Sequence, residues 1–115
     1  MKCCKAIYND MVIIDHVYVA DTFFERLRGL TFKKKLSDNE GLLIAPCRQI
    51  HSYGMRFIFD AVFISNSGEI LHIIENMNLC KVSPYIKNCS KVLEIKAGTV
   101  SRYKIETGNS ISFKE

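Results

Sequence analysis

The stretch Ile58-Phe59-Asp60-Ala61-Val62-Phe63-Ile64, followed by Ser65-Asn66-Ser67-Gly68 and then Glu69-Ile70-Leu71-His72-Ile73-Ile74-Glu75, decides the fold class. Its first segment is apolar on both faces apart from Asp60, which is how a buried interior strand reads. Asn66-Ser67-Gly68 is a turn sequence of hairpin length. The returning segment places Leu71 and Ile73 on one face and Ile70, His72 and Ile74 on the other. Strands joined this tightly pair antiparallel, because a parallel pair needs a crossover of about a dozen residues or more.

Working outward, Met11 to Ala20 is rich in valine, isoleucine and tyrosine, a composition suited to a pleated surface. Asp15 and His16 interrupt it and mark an edge strand or a bend. Gly41 to Ala45 reads as a buried strand, and Lys91 to Lys96 as a strand with Leu93 and Ile95 facing inward. Gly108-Asn109 turns the chain into a last strand with Ile111 and Phe113 toward the core. Thr22 and Glu25 form a capping box, which satisfies two orphan amides at a helix start. Phe23, Phe24, Leu27 and Leu30 follow at helical spacing, and Gly29 is the expected left-handed stop. Thr99 to Lys104 suits a short helical turn. Lys33–Glu40 and Lys81–Ser90 read as loops. The sum is a mainly β, α+β domain of about six strands. It is expected to be a compact antiparallel β-sandwich or partly closed barrel with one or two short helices.

The 115 residues form one domain, 1–115, with no repeat or linker. Hydrophobic residues at 48% and charged residues at 24% exclude a disordered chain. No apolar run approaches the roughly 20 residues of a membrane helix, so no membrane partner is expected. The charge of +4 is mild. The lysine-rich segments around Lys33-Lys34-Lys35 and from Lys81 to Lys104 read as solvated faces, which makes a nucleic-acid partner the last of three readings. Five cysteines without a Cys-x-x-Cys pair exclude zinc ribbons and thioredoxin-type chemistry. Lys2 and Lys5 are not followed by the apolar run of a secretory leader. Free thiols without such a leader predict a cytoplasmic location.

The chemistry-bearing segment is Pro46-Cys47-Arg48-Gln49-Ile50-His51-Ser52-Tyr53-Gly54-Met55-Arg56-Phe57. Cys47 and His51 are the catalytic candidates, since a thiol with a base in hydrogen-bond reach can act as a nucleophile. On an extended strand they stand about 13 Å apart, so the pair needs a folded-back loop. The ligand-binding candidates are His51, Met55, Arg56, Phe57 and Asp60. A carboxyl at position 60 is costly to bury unless paired. Arg56, Arg48 or the amides of a neighbouring turn can pair it, so Asp60 either ties down a loop or anchors a pocket. His16, His72, Asp60 and Cys80 lack metal-ligand spacing, and neither a metal nor a cofactor is expected.

These residues fall in an ordered pattern: Ala20-Asp21-Thr22, Glu25-Arg26, Arg28-Gly29-Leu30, Gly41-Leu42-Leu43, Cys47, Ile50-His51, Met55-Arg56-Phe57, Asp60, Val62-Phe63, Gly68, Ser83-Pro84, Val92-Leu93-Glu94, Ala97-Gly98 and Gly108. The set resembles the bacterial and archaeal family known as domain of unknown function 192 (uncharacterised protein family 0127), over about residues 12–113. The resemblance implies a compact antiparallel β domain with a short helix, and no established activity. Ile58, Thr31 and Asn109 depart from the family's usual proline, methionine and aspartate, whereas Cys47, His51, Met55 and Asp60 match. The functional expectation is a non-enzymatic binding or accessory module, with a polar site for a small molecule or a partner's peptide. The alternatives are a Cys–His enzyme of acyl or thiol transfer and, third, weak nucleic-acid binding.

Overall fold

The computed structural model describes residues 2–22, 25–26 and 35–115. Seven strands form one sheet: β1 (Lys2–Tyr8), β2 (Met11–Ala20), β3 (Glu40–Ile44), β4 (Phe59–Ser65), β5 (Ile70–Met77), β6 (Cys89–Lys96) and β7 (Ile111–Lys114). A single short helix, α1 (Thr99–Tyr103), is described between β6 and β7. The spatial order is β5-β4-β6-β3-β2-β1-β7. The sheet curls until its two edge strands meet at one end. There the Ile70 N–H donates to the Asn109 carbonyl at 2.8 Å, the Gly108 N–H to Ile70 at 2.9 Å and the Ile111 N–H to Gly68 at 2.9 Å. Of the two expected architectures, the partly closed barrel is the one that forms. At this seam Gly68 has φ +95, and a Cβ there would stand 2.9 Å from the Ile111 carbonyl oxygen. Only glycine fits both the backbone angle and the approach.

The β4–β5 hairpin forms where Asn66-Ser67-Gly68 places it, with the Gly68 N–H on the Ser65 carbonyl at 3.0 Å. β1 and β2 form a second hairpin through Asn9 (φ 51) and Asp10 (φ 62), the left-handed pair that a two-residue turn requires. Two expectations need correction. β2 is not an edge, because β1 and β3 flank it. The other reading of Asp15 and His16, a bend, is met by a bulge: Cys4 pairs with Val17 and Ala6 with Ile14, so these two exposed residues stand opposite Lys5 alone. β2 and β3 pair parallel, which residues 21–39 allow by supplying a crossover of sufficient length. The Thr22–Glu25 capping box is present: the Glu25 N–H donates to Thr22 Oγ1 at 3.2 Å, and the Thr22 N–H to Glu25 Oε1 at 3.3 Å. The rest of that expected helix, at 23–24 and 27–30, lies outside the described residues.

The core has two parts. Ile14, Val17, Val62, Leu93 and Ile95 fill the barrel interior. A second cluster of Leu42, Ile44, Phe59, Ala61, Phe63 and Val92 occupies the outer face of β3, β4 and β6. Tyr8 fastens the barrel from inside. Its hydroxyl donates to the Lys104 carbonyl at 3.1 Å and accepts from the Glu106 N–H at 3.2 Å and Asn109 Nδ2 at 2.8 Å. No helix among the described residues is long and apolar enough to cross a membrane.

Candidate functional site

Two loops cover the outer-face cluster: residues 46–58 after β3, and 78–88 after β5. They are zipped into one lobe. The Ser52 N–H donates to Lys81 at 2.9 Å, the Ser83 N–H to Ile50 at 2.9 Å and the Ile86 N–H to Arg48 at 2.9 Å, and His51 and Val82 form an antiparallel bridge. Two buried serines hold the seam. Ser52 Oγ donates to the Asn78 carbonyl at 2.5 Å and accepts from the Lys81 N–H at 2.9 Å. Ser83 Oγ accepts from the Ile50 N–H at 2.9 Å and donates to Pro84 at 2.9 Å. Much of the lobe's backbone hydrogen bonding is thus internal, and the lobe presents side chains to solvent.

Those side chains are unusual. Tyr53, Ile58, Leu79, Val82 and Tyr85 are five of the seven large hydrophobics exposed among the described residues. The lobe also carries Arg48, Arg56, Lys81 and Lys87 and no aspartate or glutamate, so the whole of the chain's +4 resides there. Elsewhere twelve basic residues balance twelve acidic ones. Arg48 Nη1 donates to the Tyr85 hydroxyl at 3.1 Å, which joins a cation to an exposed aromatic.

The residues expected from sequence divide among three places. His51 stands exposed on the lobe. Its ring stacks on Tyr53 with centroids 5.4 Å apart, and its Nδ1 accepts the Tyr53 N–H at 3.2 Å. Arg56 is exposed on the same loop. Cys47, Met55 and Phe57 are half-buried and pack on the outer-face cluster. The Cys47 thiol donates to the Gln49 carbonyl at 3.2 Å. Thiol and imidazole therefore each have a partner, and neither is the other. Burial pushes the Cys47 thiol up from its ordinary range, with the nearby Glu94 and Cys89 acting in the same direction. A nucleophilic cysteine requires the opposite shift.

Asp60 lies in the barrel interior, paired across the sheet with Ile95, and is fully buried. Oδ1 accepts the Asn76 N–H at 2.9 Å. Oδ2 accepts the Gly98 N–H at 3.1 Å and the Val100 N–H at 3.0 Å. The N-cap of α1 is Gly98, which has no side chain to offer, so Asp60 satisfies the helix's first amides from across the barrel. Of the two readings for Asp60, these bonds describe the one in which it ties down loops, and its partners are turn amides rather than Arg56 or Arg48.

One group emerges only in the structure. Glu94 points to the outer face, flanked by Leu42 on β3 and Ala61 on β4, and is 3% exposed. Among the described residues, no hydrogen bond or ion pair reaches its carboxyl. Lys96, two residues along the same strand, is turned to Asp38 at 3.4 Å. Burial raises the Glu94 pKa to about 8. A buried, perturbed carboxyl of this kind marks a functional-site candidate. The alternation of Lys91–Lys96 gives the outward direction of Glu94. Its burial depends on the outer face being covered, which no local pattern states.

The fold and the lobe together define a small curled β-barrel with one loop-covered face. The chain belongs to the DUF192 family, described as an uncharacterized ACR, whose model matches residues 7–113. No functionally curated protein matches it. Two solved structures share the fold. One is a protein of unknown function from Novosphingobium aromaticivorans DSM 12444, with TM-score 0.83 and 21% identity, covering 96% of this chain and 83% of that one. The other, from Sinorhizobium meliloti 1021, carries the provisional description of a transcription regulator, with TM-score 0.83 and 21% identity, covering 96% of this chain and 92% of that one.

Proposed function

We propose that this protein is a non-enzymatic binding module whose recognition face is the lobe of residues 46–58 and 78–88. Its partner is a small molecule or protein segment that is anionic and partly apolar. The observation that carries the reading is the coincidence on one lobe of the entire net charge and most of the exposed large hydrophobics. Apolar groups gathered at one surface mark an interaction site. Unbalanced cations select the sign of what docks there and speed its arrival. His51, Arg56 and the half-buried Met55 and Phe57 supply polar and apolar contacts on that face. The upward shift of the Cys47 thiol favours binding over thiol catalysis.

The test uses 8-anilinonaphthalene-1-sulfonate, an anionic apolar probe whose fluorescence rises on binding. The wild type is expected to bind it saturably. Reversing Arg56 and Lys87 together to glutamate is expected to weaken binding about tenfold. Reversing Lys5 and Lys114, an exposed cross-strand pair on β1 and β7, is expected to leave it unchanged. Equal losses in both double variants, or no saturable binding, contradict the reading.

A further inference from the structure

We propose that the partner of the lobe is an extended peptide segment in which acidic and apolar residues alternate, bound as an added strand against the backbone of Val82. This deepens the binding-module reading and rests on it. The first support is the pairing pattern of the lobe's own ribbon. The Ser52 N–H bonds to Lys81 and the Ser83 N–H to Ile50, so the His51–Val82 bridge between them is of the non-hydrogen-bonded kind. In such a pair the N–H and C=O of each residue point away from the other strand. Both groups of Val82 therefore face outward along the ribbon's edge, and among the described residues nothing bonds to either. Val82 is 52% exposed. An unpaired donor and acceptor on one exposed, extended residue is the template that strand addition uses.

The same pattern selects which edge is open. Residues 81–86 run without a turn or bend. On the opposite edge the chain folds back: the Met55 N–H donates to the Ser52 carbonyl at 3.2 Å and the Tyr53 N–H to the His51 ring at 3.2 Å, which closes the approach to His51. Pro84 limits the open edge on the Val82 side. It has no N–H, and its carbonyl already accepts the Ser83 hydroxyl at 2.9 Å. The backbone contact is thus one residue's donor and acceptor, and side chains supply the rest.

Those side chains set the partner's chemistry. Leu79, Val82 and Tyr85 are exposed on this segment, and Tyr53 and Ile58 on the facing loop. Lys81 and Lys87 are exposed on the first and Arg48 and Arg56 on the second, with no acid on either. Successive residues of an extended run face opposite sides, so Lys81 and Val82 present a cation and an apolar group in alternation. A strand alternating carboxylates with apolar side chains is the complement of that arrangement in charge and in period. The exposed groups are spread over both loops. A six-residue segment, about 20 Å long when extended, reaches across them where a small molecule does not. A single-stranded nucleic acid is the poorer match, because Ile58, Leu79 and Val82 offer no ring on which a base can stack.

The experiment titrates capped six-residue peptides into the 15N-labelled full chain and follows amide shifts and amide exchange by NMR. The first peptide alternates glutamate and valine. The second is the same peptide N-methylated at every residue, which removes its backbone donors. The third has lysine in place of glutamate, and the fourth serine in place of valine. A short oligothymidine is titrated in parallel. The glutamate–valine peptide is expected to saturate, to shift the Val82 amide and to slow its exchange about tenfold at saturation. The N-methylated, lysine and serine peptides are each expected to bind about tenfold more weakly or worse. Failure of the first peptide to saturate, an unprotected Val82 amide, equal binding by the N-methylated or serine peptide, or tighter binding by the lysine peptide or the oligothymidine overturns the inference. Should the sulfonate probe still bind the lobe saturably while the glutamate–valine peptide does not, strand addition at Val82 falls and the lobe remains.

Discussion

Substitution of Asp60 by alanine is expected to bring the protein close to unfolding. The carboxyl serves three backbone N–H groups, from Asn76, Gly98 and Val100, at 2.9, 3.1 and 3.0 Å. All three lie against a side chain with no exposure, so water cannot replace it without opening the barrel end. An orphaned buried donor costs roughly 1–3 kcal/mol. Three of them cost roughly 3–9 kcal/mol, comparable with the roughly 5–15 kcal/mol that holds a domain of ordinary stability together. Asparagine supplies a graded version. Its one oxygen serves the two amides at α1, and its NH2 then faces the Asn76 N–H, donor against donor. The expected cost is about 2–4 kcal/mol. Urea unfolding followed by far-ultraviolet circular dichroism reads both variants, and amide exchange at Gly98 and Val100 locates the effect. A loss below about 1 kcal/mol for alanine would refute the claim that these bonds hold the barrel end together.

Other outcomes follow from the same geometry. Glu94→Gln should change how stability depends on pH. The folded carboxyl titrates near 8 and the unfolded one near 4.5, so the native state retains a proton that the unfolded chain releases in between. Wild-type stability therefore falls as pH rises from about 4.5 to about 8, by up to about 5 kcal/mol, and levels off above. Urea midpoints at pH 5, 7 and 8.5 should show the variant without that fall, and parallel profiles would contradict the assignment. Tyr8→Phe removes the hydroxyl that serves Lys104, Glu106 and Asn109, and should lower stability by about 1–3 kcal/mol in a thermal melt. Gly68→Ala, at φ +95 and the barrel seam, should cost about 1–3 kcal/mol, with faster amide exchange at Ile70 and Ile111. Cys47 should react with iodoacetamide no faster at pH 7 than a free thiol, since its pKa is raised.

The parts of the fold that sequence made legible are those fixed by neighbours in the chain. The β4–β5 hairpin needs only an apolar run, a turn and a return, and the short α1 and the Thr22–Glu25 box are likewise local. β1 is less legible, because Lys2 and Lys5 on either side of Cys3-Cys4 break the period-two alternation of a strand, although Asn9-Asp10 is a turn sequence that marks its end. The parallel β2–β3 contact depends on where a 19-residue excursion comes back, which no local pattern encodes. Asp60 was conspicuous as an acid in an apolar strand. Its partners were not, because the amides it holds lie 16, 38 and 40 residues away. Glu94 was concealed for a different reason. On a sheet with one wet face, an outward acid is unremarkable, and it becomes singular only when a loop from elsewhere covers that face. Cys47 and His51 are close in sequence, yet the zipped lobe gives each its own partner.

The most direct test of the proposed recognition face is an amide shift map of the 15N-labelled protein titrated with the sulfonate probe. The account predicts perturbations concentrated in residues 46–58 and 78–88, with Tyr53, Val82 and Tyr85 among the largest. A map centred instead on the β1–β2 hairpin, where Met11 and Val12 supply the other exposed hydrophobics, would contradict it.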